Sequence, residues 1–158
     1  MKKILVVLLA AMALALALVS CGDSSSSAAE KAEKTYNVTE IADKLFKDIK
    51  WTDTLQPLEE NMVENILGIS KDLYSKCRIY EGGVSTAEEI AAFEAVDEAA
   101  AGKIQTALEA RIAAQKKSFE DYQPAELPKL NSPVLKKYGK YVFMCISDYN
   151  ATAEDIIG

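Results

Sequence analysis

Apolar positions along the chain change period several times, and each change marks an element. Val38, Ile41, Ala42, Leu45, Phe46 and Ile49 fall at the three-and-four spacing of one helical face. Glu40 with Lys44 and Asp43 with Lys47 supply i,i+4 pairs on the other face, and Asn37 with Glu40 reads as a capping box. A second helix is expected after Pro57, with Leu58, Met62, Val63, Ile66 and Leu67 on one side and Gly68 as its stop. Between Ser75 and Glu81 the period drops to two, with Cys77 and Ile79 on one face and Lys76, Arg78 and Tyr80 on the other, which indicates a strand over 76–81. The next stretch has two readings. Ser85 with Glu88 resembles a helix cap, while Gly82-Gly83 between two apolar runs resembles a hairpin. A helix from Thr86 to Tyr122 would run 37 residues, well beyond the usual ~8–20, and Asp97 offers an N-cap inside it, so a strand over 88–96 is expected.

From Glu98 onward, Ala101, Ile104, Leu108, Ile112, Gln115, Phe119 and Tyr122 step by threes and fours, a long amphipathic helix that Pro124 ends. Pro124, Pro128 and Pro133 punctuate a connection to a short helical turn expected near 134–138. Tyr141, Val142, Phe143, Met144, Cys145 and Ile146 are all apolar, so a strand over 140–147 is expected to be covered on both faces and to be central. Asn150 or Thr152, with Asp155 nearby, starts a last helix. The expected fold is α+β: a small antiparallel sheet of about three strands packed by a long amphipathic helix, with two N-terminal helices and a short C-terminal helix.

Upstream of this domain, Lys2 and Lys3 precede an unbroken apolar run from Ile4 to Val19, the order of a secretory leader and short for a spanning helix of about 20 residues. The run ends in Leu18-Val19-Ser20-Cys21-Gly22, which resembles the lipobox of bacterial lipoproteins. In such proteins the cysteine thiol, the best nucleophile available, takes a diacylglyceryl group before cleavage on its N-terminal side. Residues 1–20 thus read as a signal peptide and Cys21 as the lipidated N-terminus. Two or more acyl chains suffice for stable attachment to a bilayer. Residues 21–35 carry Ser, Ala, Glu and Lys with almost no large apolar side chain, and read as a flexible tether. Residues 36–158 form the single globular domain. The expected location is the outer face of the cytoplasmic membrane, with the lipid bilayer as the first partner.

Composition narrows the chemistry. Of 158 residues 49% are hydrophobic, but 17 of those fall in the first 20, leaving 61 of 138, about 44%, for the rest of the chain. That is ordinary for one soluble domain. The formal charge of −6 becomes −8 once Lys2 and Lys3 are removed, so nucleic acid is not an expected partner. Histidine is absent, which removes Ser-His and Cys-His nucleophiles, histidine-ligated zinc and the usual base near pH 7. No cofactor is expected.

The Thr86-Ala87-Glu88-Glu89-Ile90-Ala91-Ala92-Phe93-Glu94-Ala95 stretch, Arg111 with Gln115, Phe119 and Tyr122 before Pro124, and Gly139 leading to Tyr141 and Val142 together resemble a family. It is the domain of unknown function DUF4358, found among lipoproteins of Gram-positive bacteria, and the resemblance spans roughly residues 36–157. It implies the surface location and the hairpin, and it implies no activity, ligand or catalytic residue.

Several residue groups invite chemical readings. Cys77 and Cys145 lie on different strands and would form a disulfide only with Cα atoms within about 7 Å; two separate buried thiols are the simpler expectation. Asp148, Asn150, Thr152 and Glu154 alternate like a calcium loop, but Ala153 stands where such a loop needs glycine and the chain ends before its twelfth position. Glu59, Glu60 and Glu64 fit the solvated start of a helix better than an acid–base set. Residues 111–140 carry seven bases and three acids, a net +4 that would suit anionic lipid or wall polymer if it formed one face. Arg111 and Gln115 interrupt the apolar stripe of the long helix one turn apart. There they would either orient an anionic or amide-bearing ligand or tie down groups within the domain. The function expected is non-enzymatic binding or assembly with a cell-surface protein, peptide or wall polymer. The competing reading is a surface hydrolase working through carboxylates such as Glu60 or Asp148, or through Cys77.

Overall fold

The computed structural model describes residues 34–158. The leader, Cys21 and nearly all of the expected tether lie outside the described residues. Helix α1 (Val38–Asp48) is capped by the Asn37 side chain, which accepts from the Glu40 backbone N–H at 3.3 Å. It buries Val38, Ala42 and Leu45. The expected Asp43–Lys47 pair gives way to a tertiary one: Asp43 accepts from Arg78 Nε at 2.9 Å and from the Tyr80 hydroxyl at 2.7 Å.

The second helix is shorter than expected. Residues Gln56–Pro57 form a two-residue strand, β1, and Leu58 N–H donates to the Ile79 carbonyl at 3.0 Å. This backbone is committed to the sheet before a helix can begin. A 3-10 turn (Glu60–Met62) then leads into α2 (Val63–Leu67), which Gly68 stops at φ +68°, a conformation natural to glycine.

Strands β2 (Tyr74–Glu81) and β3 (Glu89–Ala95) follow, then α3 (Glu98–Tyr122), whose first turn is capped by Asp97 accepting from Ala100 N–H at 2.7 Å. A 3-10 turn at Pro124–Glu126 and helix α4 (Leu127–Asn131) connect α3 to β4 (Val134–Tyr138), β5 (Tyr141–Ile146) and α5 (Asn150–Ile157). The sheet is antiparallel with order β1-β2-β3-β5-β4.

The three expected strands therefore lie inside a sheet of five, and the two additions are its edges. Residues 134–138 are a strand, not the helical turn expected there. Gly139 at φ +54° begins a two-residue loop that folds β4 back onto β5, opposing Tyr138 to Tyr141. The middle of the sheet belongs to β3, with β5 beside it.

Both sheet faces are covered. Ala91, Phe93, Val142 and Met144 pack beneath Ile104, Leu108 and Ile112 of α3. Ile90, Ala92, Phe143 and Cys145 pack against Val38, Ala42 and Leu45 of α1 and Ala153 and Ile157 of α5. A strand apolar on every residue is what such a two-sided environment selects.

Candidate functional site

Glu81 ends β2 and Glu89 starts β3, and the register places them directly opposite each other. Two carboxylates so placed repel, and the arrangement needs a cation. Arg111 supplies it from α3. Its Nη2 donates to Glu81 Oε1 at 3.1 Å and to Glu89 Oε2 at 3.0 Å, Nε reaches Glu89 Oε2 at 3.2 Å, and Nη1 reaches the Ile66 carbonyl at 3.3 Å. Gln115, one turn on, donates its Nε2 to the same Glu89 Oε2 at 2.9 Å. The stripe of α3 is interrupted between Leu108 and Phe119 because these two polar side chains serve a buried acid below them.

Glu89 is 1% exposed. Burial pushes its pKa up, against the opposing pull of Arg111 and Gln115, and burial likewise raises Glu81 although Arg111 opposes it. One oxygen of Glu89 receives three donors. Its other oxygen, Oε1, and Gln115 Oε1 are buried and have no hydrogen-bond partner among the described residues. These groups floor an open groove of about 550 Å³, whose wall also includes Ile66, Val84, Ala114, Phe119 and Tyr122.

On the loop joining β2 to β3, Glu88 turns to the opposite side from Glu89. It accepts from the backbone N–H groups of Thr52 at 3.0 Å and Asp53 at 3.1 Å, and from Lys129 Nζ at 3.2 Å. Glu126 accepts from Ala87 N–H and the Thr86 hydroxyl, each at 2.9 Å, and from Lys129 at 3.0 Å. For Glu126, burial alone would raise the pKa, but Ala87, Lys129 and Thr86 outweigh it and hold the carboxyl low. Lys129 is held high: burial works against its charge, and the Glu126 and Glu88 carboxylates more than compensate. This cluster fixes the loop that carries Glu89 into the sheet. Gly82 allows the close approach there, since a Cβ would lie 2.3 Å from Thr86 Cγ2 and 3.1 Å from the Glu88 carbonyl oxygen.

A family model for the domain of unknown function DUF4358 matches residues 47–147. The chain belongs to the DUF4358 family. The match stops short of the span suggested by the sequence resemblance at both ends, yet it takes in Glu81, Glu89, Arg111 and Gln115 and every strand. No curated protein and no solved structure matches the chain. Within the DUF4358 domain, then, chemistry has to be read from geometry.

The other sequence candidates are scattered. Cys77 on β2 and Cys145 on β5 are both free thiols, separated by β3 and packed on opposite faces of the sheet. Burial raises both, Cys145 to about 12. Glu60 pairs with Lys71 on the surface. Asp148 lies 3.7 Å from Lys129, Asn150 donates to the Ser132 carbonyl and Glu154 pairs with Lys136 at 2.9 Å. Five of the seven bases of the basic segment are engaged in ion pairs. Arg111 and Lys129 are drawn into ion pairs of the interior, and Lys136, Lys137 and Lys140 pair with Glu154, Glu98 and Glu94. Among the described residues no helix is long and apolar enough to cross a membrane.

Sequence reasoning named Arg111 and Gln115 but missed Glu81, Glu89 and the Lys129 cluster. The available signal was physical: an arginine in a core-facing stripe requires an acid opposite, and Glu89 begins the apolar strand that α3 covers.

Proposed function

We propose that the protein is a non-enzymatic binding module, held at the outer face of the cytoplasmic membrane through lipidated Cys21, that receives its ligand in the groove beneath α3. The observation that carries this reading is the pair of buried acceptors without partners, Glu89 Oε1 and Gln115 Oε1, in the floor of an open groove. Buried polar atoms are almost always hydrogen-bonded, and two orphans on neighbouring side chains that line one concavity are what a ligand would satisfy. The state of the candidate reactive groups supports binding over turnover. The guanidinium is spent on Glu89, Glu81 and Ile66, and the thiols of Cys77 and Cys145 are held protonated. The anchor is supported by the lysine-led apolar leader and its terminal Leu18-Val19-Ser20-Cys21.

Two measurements test it. A photoreactive side chain placed at Ser118, on the groove wall, should crosslink a ligand on intact cells, and the Gln115→Met change should abolish that crosslink while the protein remains at wild-type level. Undiminished capture by the Gln115→Met protein would overturn the groove reading. For the anchor, cells fed a clickable fatty acid should label the protein, and label that persists in Cys21→Ala would refute lipidation at that residue.

A further inference from the structure

The groove's unspent groups say what kind of ligand it takes. Each donor group of Arg111 already serves the domain: Nε and Nη2 bond to carboxylates and Nη1 to a carbonyl. The buried atoms left without a partner are both acceptors, one carboxylate oxygen and one amide oxygen. The floor holds two carboxyl groups against one guanidinium, so with both ionised it carries one excess negative charge, largely shielded from water. An anion arriving there would meet the carboxylates of Glu81 and Glu89, with only the second N–H of Arg111 Nη1 and of Gln115 Nε2 and the Ser118 and Tyr122 hydroxyls to receive it. A group bringing several N–H donors and a positive charge would satisfy both orphans at once. Above the floor the wall changes character. Phe119 and Tyr122 lie with ring centroids 6.4 Å apart, and Tyr122 and Val84 are 63% and 87% exposed, apolar surface available to a ligand's body.

Resting on the groove reading above, we propose that the site recognises a primary ammonium group on an apolar body, its N–H donors on Glu89 Oε1 and Gln115 Oε1 and its apolar part against Phe119, Tyr122 and Val84. This reverses the polarity of one of the two sequence readings, in which Arg111 and Gln115 would orient an anionic or amide-bearing ligand. The ammonium could belong to a free small amine or to a lysine side chain displayed by a peptide. Recognition at the floor is the same for both.

The experiment is an NMR titration of the full chain in detergent micelles, following the side-chain signals of Arg111 and Gln115. Three probes share a phenyl ring and differ in the head group: phenethylamine, 2-phenylethanol and 3-phenylpropionate. A fourth, Nα-acetyl-lysine methylamide, presents the amine as a peptide would. The expected result is saturable shifts at Arg111 and Gln115 with an ammonium probe, at a Kd at least about tenfold below that of the alcohol, and none with the carboxylate. Which ammonium probe binds more tightly assigns the source. In Gln115→Met, the ammonium affinity should fall about tenfold or more while the backbone spectrum of the sheet is retained. Binding of the alcohol or carboxylate as tight as that of the amine overturns the ammonium inference and leaves the groove standing as a site. No shift with any probe overturns the ammonium inference as well, and the groove then depends on the cell-surface crosslink alone.

Discussion

Replacing Arg111 with Met tests how the groove floor is held together. The substitution keeps the apolar stem and removes the guanidinium that stands between Glu81 and Glu89, whose side chains are 22% and 1% exposed. Breaking a buried ion pair by deleting one partner costs about 3–5 kcal/mol, because an uncompensated charge remains. Glu89 has an escape, which is to take up a proton. Each pH unit above its ordinary value of 4.5 makes that uptake costlier by about 1.4 kcal/mol, so the charge penalty is capped near 3.4 kcal/mol at pH 7 and near 0.7 at pH 5. The wild-type carboxyl is itself raised by burial, so the measured difference lies below the cap, and the lost bond to the Ile66 carbonyl adds about 1 kcal/mol at either pH.

The sign follows from linkage. A carboxyl whose folded pKa is raised contributes stability that is fully present below pH 4.5 and lost as pH rises through the raised value. Without Arg111 that loss extends to higher pH, so variant and wild type diverge on going from pH 5 to pH 7. Urea unfolding should show a destabilisation of about 2–3 kcal/mol at pH 7 that shrinks to about 1–1.5 kcal/mol at pH 5. A difference independent of pH, or below about 0.5 kcal/mol at pH 7, would refute the claim that Arg111 neutralises a buried acid.

Lys129→Met should cost about 3–5 kcal/mol at pH 7 by the same assay, since it strands Glu88 and Glu126 together. The wild-type cluster should weaken at both extremes: Glu126, held low, loses its contribution as pH falls through its depressed value, and Lys129, held high, loses its own as pH rises past 10.5, so a stability profile flat at both ends would contradict it. Gly139→Ala should lower stability by about 1–2 kcal/mol, because φ +54° is strained for an L side chain; an unchanged melting temperature would show that the loop can adopt another turn. Cys145, with its thiol pushed up to about 12, should resist alkylation at pH 8 in the folded protein and react promptly in denaturant; rapid labelling of the native state would mean that the β5 interior opens readily.

Elements were legible in the sequence where burial left a pattern. The faces of α1 and α3 and the strand β2 were readable because burial on a fixed face imposes a spacing, β5 because burial on both faces makes the run apolar throughout, and β3 from the Gly82-Gly83 turn before it and the Asp97 cap after it. The edges were not. A two-residue strand has no period, and β4 spends three of its five residues on Lys136, Lys137 and Tyr138, which suits an exposed edge and hides the alternation. Half of the site was visible for the converse reason. Arg111 and Gln115 stand out as polar breaks in an apolar stripe, whereas Glu81 and Glu89 sit at strand ends, where acids are unremarkable. Only the register, which sets them face to face, turns them into a site. Lys129 was hidden likewise, since burial of a lysine depends on carboxylates contributed 3 and 41 positions away.

The chain enters the domain far from the groove. Tyr36 stacks on Tyr138 at 5.1 Å and meets Tyr141 and Phe143 at 5.3 and 5.6 Å, at the end of the sheet where β4 turns into β5. Tyr141 pairs with Glu94, the residue five places along β3 from Glu89, a strand distance of about 17 Å. A pull applied upstream of Lys34 is therefore borne first by a sandwich of aromatic rings and by α1, in shear against the sheet. The ion pairs at Glu89 lie beyond that load path, so under the proposed tethering and groove binding a ligand would be gripped or released without slackening the point of attachment, and tension on the attachment would not pry the groove open.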